Sequence, residues 1–323
     1  MGKYVIVTKG LTKKFGRLTA VDALNLKIKE GEIFGLLGPN GAGKTTTLSM
    51  LSTLAKPSAG TALVSGYDIV AEPSSVRKSI GFVFQDPSSD DTLTGRENLY
   101  LHALMYGVRG SEINGKIDEV LRLVDLQGRQ REFVKNYSGG MRRRLELARG
   151  LLHQPKVLFL DEPTLGLDPQ TREHLWTYIK RLSKEKDVTI ILTTHYMEEA
   201  ERLCDRVAIM DLGKVVVMGT PAALKRKVGG DIITLRIPAP NLAAVRRLGY
   251  VRKAMVKGDL LQLAMGNASA HLQEILKAVG KVENVELRSP TLNDVFLHYT
   301  GKEIREDSAE GGWAERSMHY RSR

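Results

Sequence analysis

The chain has 323 residues, of which 42% are hydrophobic and 26% charged, as in an ordinary globular protein of one large and one smaller domain. No run approaches the roughly 20 apolar residues of a membrane span, and no signal peptide or zinc-ligand spacing is evident. The net charge of +11 fits nucleic acid, an anionic membrane surface or simply a solvated basic surface. The single cysteine, Cys204, excludes an intramolecular disulfide and fits a reducing cytoplasm.

Five short apolar runs predict the buried strands of a parallel sheet. They are Ile33–Leu37, Ile80–Phe84, Val157–Leu160, Val188–Leu192 and Val207–Met210. The first four lead directly into polar segments. Because ligands of open α/β sheets bind at the carboxyl ends of the strands, we expect these polar segments to meet in one site.

A glycine-rich loop follows the first strand and fits the pattern G-x-x-x-x-G-K-[ST], ahead of a helical pattern that ends near Leu54. Its residues are Gly38, Pro39, Asn40, Gly41, Ala42, Gly43, Lys44, Thr45 and Thr46. Glycines let backbone N–H groups surround an anion, and a helix N-terminus adds its positive dipole end. We expect Lys44 to neutralise the β- and γ-phosphates of a nucleotide and Thr45 to bind Mg²⁺. The alternative is a glycine-rich surface loop.

The second strand leads into Gln85, which we expect to contact Mg²⁺ or the attacking water. The pattern then becomes helical over residues 91–154. Thr94-Gly95-Arg96-Glu97 is a capping box, and Ile117–Val124 has apolar residues at helical spacing. These features predict a helical insert within the α/β domain.

Within this insert Ser138, Gly139 and Gly140 open a helical stretch over Arg142–Leu152. A serine and two glycines at a helix N-terminus form another anion site. The glycine-rich loop already accounts for one nucleotide. We therefore expect Ser138 to serve a second molecule.

Two acids, Asp161 and Glu162, end the third strand. We expect Asp161 to hold Mg²⁺ and Glu162 to polarise the attacking water; the alternative is an exposed acidic loop. His195 follows the fourth strand and Thr193-Thr194, where it suits contact with a γ-phosphate or with that water.

The pattern changes after Gly219-Thr220-Pro221, and residues 225–301 predict a separate domain. Its strands are Ile232–Ile237, Val251–Val256, Leu260–Ala264 and Val282–Leu287, and its helices are Asn241–Leu248 and Ala270–Val279. The order βαββαβ is that of a ferredoxin-like unit. We expect an accessory domain without catalytic groups, with Thr291–Leu297 as a packing helix and residues 302–323 as a flexible tail.

In this order the motifs resemble those of the ATP-binding subunits of ABC transporters across roughly residues 3–222. They are the P-loop 38–45, the glutamine loop at Gln85, the signature 137–141, the Walker B strand 157–162, the aspartate loop Gly166-Leu167-Asp168 and the histidine switch His195. The resemblance implies that Asp168 lies at the nucleotide site and that Phe15 stacks on adenine, a core phenylalanine being the alternative. Ser138–Arg144 and Thr291–Leu297 are similar to the daunorubicin-resistance type of multidrug exporter. Met141 departs from the usual signature glutamine, and Gly166 stands where alanine is usual.

The resemblance also implies a fold and an assembly. It implies an α/β P-loop NTPase domain over residues 1–222, with a helical subdomain at about 91–154, and a small C-terminal α+β domain. It further implies a head-to-tail homodimer that hydrolyses two ATP with Mg²⁺ and couples, through the surface around residues 86–106, to a separate integral-membrane permease. The subunit would then be peripheral, at the cytoplasmic face of the cell membrane, with no nucleic-acid partner.

Three alternatives stay open. A soluble ABC factor acting on nucleic acid or the ribosome usually has two nucleotide domains or a long coiled coil, whereas this sequence has one P-loop. An importer subunit would work with a binding protein outside the membrane. A scaffold that binds ATP without turnover would not need both Glu162 and His195.

Overall fold

The computed structural model describes residues 3–238, 245 and 247–301. The chain divides into two compact units, an N-terminal unit up to Val216 and a C-terminal unit from Val217 onward. This division lies slightly before the predicted junction at residues 222–225, and the exact domain limits stay a prediction. None of the helices in the described ranges has both the length and the apolar character that crossing a bilayer requires.

The N-terminal unit alternates strands and helices. Its strands are β1 (Tyr4–Phe15), β2 (Leu18–Leu24), β3 (Lys27–Lys29), β4 (Ile33–Leu37), β5 (Ala59–Val64), β6 (Tyr67–Asp68), β7 (Ile80–Val83), β8 (Val157–Asp161), β9 (Thr189–Thr194), β10 (Arg206–Asp211) and β11 (Lys214–Gly219), the last of which crosses into the second unit. Its helices are α1 (Lys44–Leu51), α2 (Pro73–Ser79), α3 (Gly95–Met105), α4 (Gly110–Leu123), α5 (Gly139–Leu151), α6 (Pro169–Lys186) and α7 (Met197–Leu203).

A six-stranded sheet has the order β11-β10-β4-β9-β8-β7, and its strands from β10 to β7 pair in parallel. Leu37 lies opposite Thr194, and Asp161 lies opposite Thr193. The carboxyl ends of β4, β9 and β8 are therefore level. This register brings the polar segments after these strands to one edge, and the predicted α/β fold is confirmed.

Four of the five predicted strands end at a different residue in the structure: β7 ends one residue earlier than predicted, β8 and β10 one residue later, and β9 two residues later. Phe84 lies outside β7 and is exposed, whereas β9 runs past the apolar segment to Thr193 and Thr194, which are buried. The sequence prediction ended β9 where the apolar run ended. The two threonines stay in the sheet because neighbouring strands pair with them, and their hydroxyl groups find polar partners at the site.

A second, antiparallel sheet near the N-terminus was not predicted. It has the order β2-β1-β5-β6, with β3 also paired to β1. Strand β1 buries Val5, Ile6 and Leu11 but exposes Lys9 between them, and its pairing with β5 shifts register between Lys9 and Thr12. Such an irregular strand lacks the clean alternation by which a half-buried strand is recognised.

The helices α3, α4 and α5 occupy the segment predicted to be helical. The capping box at the start of α3 is confirmed, because Thr94 Oγ1 accepts from the backbone N–H of Glu97 at 3.2 Å and the Glu97 carboxylate accepts from that of Thr94 at 2.8 Å. Helix α5 begins earlier than predicted. Ser138 is its N-cap and its hydroxyl accepts from the backbone N–H of Met141, so that Gly139 and Gly140 form the first turn.

The C-terminal unit is built on a four-stranded antiparallel sheet. Its strands are β12 (Asp231–Arg236), β13 (Val251–Lys257), β14 (Leu260–Met265) and β15 (Asn284–Arg288), and its helices are α8 (Pro221–Lys227), α9 (Ala268–Val279) and α10 (Leu292–Thr300). The sheet order β13-β14-β12-β15 is the one in which two split βαβ units interleave. The small C-terminal α+β domain is thereby confirmed. The predicted helix Asn241–Leu248 falls mostly outside the described residues, and the predicted tail 302–323 lies wholly outside them.

Candidate functional site

The glycine-rich loop joins β4 to α1 and requires glycine at two positions. Gly41 and Gly43 have φ angles of +81° and +97°, in the left-handed region that side chains disfavour. A Cβ atom at Gly43 would lie 2.4 Å from the carbonyl oxygen of Ala20. Glycine at position 43 thus serves both backbone conformation and packing, and α1 begins at Lys44 directly after it.

Lys44 is a buried cation between this loop and the acidic strand end. Its Nζ atom donates to the carbonyl oxygens of Gly38 at 2.8 Å and Pro39 at 3.0 Å, and lies 3.5 Å from Oε1 of Glu162. Burial lowers the pKa of Lys44, and the Glu162 carboxylate opposes that shift. The contact brings two predicted site residues from different elements together.

Thr193 organises the acid pair at the end of β8. Asp161 Oδ1 accepts from Thr45 Oγ1 at 3.0 Å and from Thr193 Oγ1 at 2.6 Å. The same threonine oxygen accepts from the backbone N–H of Glu162 at 2.9 Å. Glu162 has a φ of +44°, which is uncommon for a residue with a side chain. As a result the two acids contact different partners: Asp161 meets the threonines, and Glu162 meets Lys44 and His195.

Glu162 remains an anion although it is buried. Burial raises the pKa of its carboxyl group. The neighbouring His195 and Lys44 together lower that pKa by more than burial raises it, so the net shift is downward. His195 Nδ1 lies 3.3 Å from Oε2, a close approach without the alignment of a hydrogen bond. A carboxylate that is ionised at neutral pH can accept a proton from a water molecule.

The Thr45 hydroxyl and the Asp161 carboxylate suit Mg²⁺. Both are hard oxygen ligands, and Mg²⁺ is commonly held by one or two carboxylates together with substrate phosphates. Within residues 3–238, 245 and 247–301, no cluster of three or more His, Cys, Asp or Glu side chains is arranged to hold a metal alone. The donor set therefore fits a metal ion shared between protein and nucleotide.

Gln85, also predicted to contact Mg²⁺, is held by its backbone. Its carbonyl oxygen accepts from Arg143 at 3.4 Å. Among the described residues, the Gln85 side-chain amide forms no hydrogen bond with Asp161. The structure thus joins Lys44, Thr45, Asp161, Glu162 and His195 through side-chain contacts and Thr193. Gln85 is linked to the acid pair through its carbonyl oxygen and Arg143, and its contact with Mg²⁺ or water stays a prediction.

Phe15 ends β1 and is 54% exposed, so the core alternative is wrong. The ammonium group of Lys13 lies 5.0 Å from the centre of its ring. An exposed ring beside a cation can stack on a planar base. The adenine contact itself stays a prediction.

The signature residues lie beside the aspartate loop. A Cβ atom at Gly139 would lie 3.6 Å from the Leu167 side chain, and one at Gly140 only 2.5 Å from the Thr171 methyl group. Asp168 is the N-cap of α6, and its Oδ1 accepts from the backbone N–H of Thr171 at 2.9 Å. Hydrogen bonds from Thr171 lower the pKa of Asp168. These contacts join the signature to the aspartate loop, and none of them involves the P-loop.

Comparison with known proteins decides the family. Residues 21–165 match the family described as ABC transporter, and residues 219–300 match that described as ATP-binding protein DrrA1-3-like, C-terminal domain. The chain is 41% identical over 312 residues to the daunorubicin resistance ATP-binding protein DrrA3 of Streptomyces coeruleorubidus, covering 94% of this chain and 98% of the relative. This chain belongs to the ATP-binding subunits of ABC transporters. It is an ATPase of the branch that includes the daunorubicin-resistance proteins.

Other relatives and solved structures agree with this assignment. The ABC subunit is 38% identical over 314 residues to the linearmycin resistance ATP-binding protein LnrL of Bacillus subtilis, covering 94% of this chain and all (100%) of the relative. The structure of cbiO1 of Clostridium perfringens, part of the ABC transporter complex cbiONQ, aligns with a TM-score of 0.65 at 30% identity and covers 70% of this chain and 94% of that one. The dimeric structure of the ATP-binding cassette MJ0796 with ADP and Pi aligns with a TM-score of 0.60 at 29% identity and covers 67% and 98%.

Sequence reasoning missed two residues of the ABC subunit's site, Thr193 and Arg143. Thr193 directly follows the predicted strand Val188–Leu192, two residues before His195, and that position was its only signal. Arg143 sits among three consecutive arginines in α5, a pattern typical of a solvated helix face. In the structure it is buried, and it donates to carbonyl oxygens around the acid pair.

Proposed function

We propose that two copies of this ABC subunit form a head-to-tail dimer that hydrolyses two ATP molecules at its interface and drives export through a separate integral-membrane permease. The observation that carries this proposal is that two sets of predicted site residues have different contact partners within one copy. Lys44, Asp161, Glu162 and His195 form one cluster, whereas Ser138 and Asp168 belong to the signature and aspartate-loop contacts. The second cluster is then available to the ATP of the partner copy.

In the proposed site, the P-loop amides and Lys44 bind the phosphates, and Phe15 stacks on adenine. Thr45 and Asp161 would hold Mg²⁺, which would neutralise charge on the phosphate oxygens, and Gln85 would contact the metal or the water. Glu162 accepts a proton from the attacking water. His195, next to that carboxylate, orients the water or the γ-phosphate. Asp161 and Glu162 keep separate roles because Thr193 binds one through its side chain and the other through its backbone.

The proposed permease-facing surface is the exposed apolar side of α3. Its exposed large side chains are Tyr100, Leu101, Leu104 and Met105, and the exposed Tyr106 follows directly at the C-cap. A groove on the same helix is lined by Leu93, Tyr100 and Leu101 with Arg96 and Arg131. Apolar surface rimmed by charge is typical of protein interaction sites. Through this surface the dimer would attach peripherally at the cytoplasmic face of the membrane.

Export, rather than import, is favoured by the relatives. Those named above are daunorubicin and linearmycin resistance proteins, and another, 38% identical over 295 residues, is the Nod factor export ATP-binding protein I of Paraburkholderia xenovorans. We therefore propose a small-molecule exporter of the drug-resistance type. The C-terminal unit, which holds none of the proposed catalytic groups, would support dimerisation or permease association.

Mixing of inactive variants tests the composite sites. In a dimer of one Ser138→Arg and one Lys44→Ala copy, both lesions fall on one site and the other site is intact. With random pairing of equal amounts, half of the dimers are mixed, and about a quarter of wild-type ATPase activity should return. Light scattering on differently tagged copies would verify that mixed dimers form.

The matched control mixes Lys44→Ala with Glu162→Gln. Both residues belong to the same half-site, so every mixed dimer has one lesion in each site and activity should not return. Recovery in this control, or none with Ser138→Arg despite mixed dimers, would contradict the head-to-tail arrangement.

A further inference from the structure

Arg143 is a buried cation whose donors all go to main-chain carbonyl oxygens. Its Nε atom donates to Pro163 at 2.6 Å, and one terminal nitrogen donates to Asp161 at 3.0 Å and Glu162 at 3.1 Å. The other terminal nitrogen donates to Phe84 at 2.5 Å and Gln85 at 3.4 Å. One guanidinium group therefore joins the chain after β8 to the chain after β7. Its rigid fork of five N–H donors makes this geometry possible.

The neighbouring arginines do not reach the acid pair. Arg142 donates to the Asp91 carboxylate and to carbonyl oxygens of the helical segment. Arg144 donates to the carbonyl oxygens of Val124 and Asp125 and to the Tyr178 hydroxyl. Three consecutive arginines thus have different surroundings, and the middle one alone among them binds the backbone of the acid pair.

One turn further along α5, Glu146 holds the other end of the segment after β7. Its carboxylate accepts from the backbone N–H groups of Ser88 at 3.2 Å and Ser89 at 2.9 Å, and from the Ser88 hydroxyl at 3.0 Å. Arg149 pairs with the same carboxylate at 2.9 Å. Helix α5 therefore holds segment 84–89 at both ends. Arg143 binds the carbonyl groups of Phe84 and Gln85, and Glu146 binds the amides of Ser88 and Ser89.

The backbone of Glu162 needs such support. Its φ of +44° is an unfavourable conformation that persists only where the surroundings impose it. Thr193 binds its N–H group at 2.9 Å, and Arg143 binds its carbonyl oxygen at 3.1 Å. Arg143 is thus one of two side chains that hold the peptide on either side of the carboxylate that faces Lys44 and His195.

We propose that Arg143 is a positioning residue that couples segment 84–89, which contains Gln85, to the orientation of the Glu162 carboxylate. The proposal rests on the proposed function, in which Glu162 activates water. When segment 84–89 shifts, the guanidinium group shifts with it, and the Glu162 carbonyl oxygen loses or gains its side-chain donor, while its other donor, the backbone N–H of Leu165 at 3.2 Å, stays in place. Hydrolysis would thereby depend on the position of a segment adjoining the permease-facing surface.

Arg143→Lys tests this coupling, because an ammonium group keeps the charge but cannot fork to both segments. We expect kcat for ATP hydrolysis to fall about tenfold or more, the scale of losing a few oriented hydrogen bonds, with ATP affinity by calorimetry within a few-fold of wild type. Arg144→Lys, the same exchange one residue along, is the matched control and should retain kcat within about twofold. A loss of ATP affinity equal to the loss of turnover would overturn the positioning role.

A double-mutant cycle with Glu162→Gln separates positioning from general damage. If Arg143 acts through the Glu162 carboxylate, Arg143→Lys should cause little further loss of single-turnover rate once that carboxylate is gone. A full additional loss in the Glu162→Gln background overturns the proposal while leaving the role of Glu162 intact. Wild-type turnover in the Glu162→Gln single variant would instead contradict the proposed function. The positioning role of Arg143, which rests on that function, would then be contradicted too.

Glu146→Gln is the substitute variant for this test if Arg143→Lys does not fold. It leaves the buried cation in place and weakens the hold on Ser88 and Ser89. We expect a lower kcat with retained ATP affinity, again without further loss in the Glu162→Gln background. An unchanged kcat in folded Glu146→Gln, checked by circular dichroism, would overturn the coupling.

Discussion

The two main sheets of this ABC subunit bury different kinds of groups. At the carboxyl edge of the six-stranded sheet, Lys44, Asp161, Glu162, His195 and Arg143 are all buried. The four-stranded sheet of the C-terminal unit has a described core of apolar side chains alone: Ile233, Leu235, Ile237, Val245, Leu261, Leu263, Met265, Ala268 and Ile275. Burying ionisable groups costs free energy unless they are paired. The first sheet therefore needs polar partners for the charged groups of its site, and the second contributes apolar packing.

Charge in the C-terminal unit has a local structural role. Arg288 donates two hydrogen bonds to Asp294, at 2.6 and 2.8 Å, and Asp294 forms a capping box with Thr291 at the start of α10. The arrangement fixes where this helix begins and buries Leu292, Val295 and Phe296. If this contrast is right, substitutions at the two sheets should affect different measurements.

Lys44→Ala should have the largest effect. It removes the ammonium group beside the P-loop and Glu162, and ATP affinity should fall on the order of 100-fold or more because the phosphates lose their charge partner. Calorimetry on folded protein measures this change. Lys78→Ala, at an exposed lysine of α2, is the matched control. Near wild-type affinity in Lys44→Ala would contradict the assignment.

Glu162→Gln should reduce turnover on the order of 100-fold or more, the scale of a lost general base, while ATP binding is retained. Steady-state phosphate release measures turnover, and the ATP-bound dimer should accumulate in gel filtration. The control is Glu198→Gln, an exposed acid of α7 paired with Arg202. Turnover within a few-fold of wild type would exclude Glu162 as the residue that activates water.

Thr193→Val should reduce turnover about tenfold, because it removes the hydroxyl group that binds both Asp161 and the Glu162 backbone. Thr189→Val is the control in the same strand. Thr189 is also buried, but its hydroxyl accepts from Gly31 at the opposite end of β9, so its loss should affect stability and not turnover. Equal kinetic effects of the two variants would argue against a specific role for Thr193.

Asp294→Asn should have the smallest effect on catalysis. Loss of the charged hydrogen bonds from Arg288 and of the cap at α10 should destabilise the protein by about 1–2 kcal/mol, with ATP turnover within twofold of wild type. Urea unfolding measures the first quantity and phosphate release the second. Asp259→Asn, at an exposed pair with Arg236, should be nearly neutral in both. A large loss of turnover in Asp294→Asn would break the contrast between the sheets.

Local patterns were sufficient for much of the fold and part of the site. The P-loop, the five parallel strands and the capping box of α3 depend on residues close in sequence, and the sequence alone predicts each of them. The presence of Lys44, Thr45, Asp161, Glu162 and His195 at one sheet edge also followed, because parallel strands end on the same side.

The tertiary structure decided the rest. The antiparallel sheet around β1 depends on pairing with β5 across about 50 residues of chain, and no local alternation marks it. The role of Thr193 depends on the register that sets it opposite Asp161. The burial of Arg143 depends on the packing of α5 against the ends of β7 and β8. In each case the partner is distant in sequence. The sequence therefore determines the chemistry of the side chain, and the tertiary fold determines which groups it contacts.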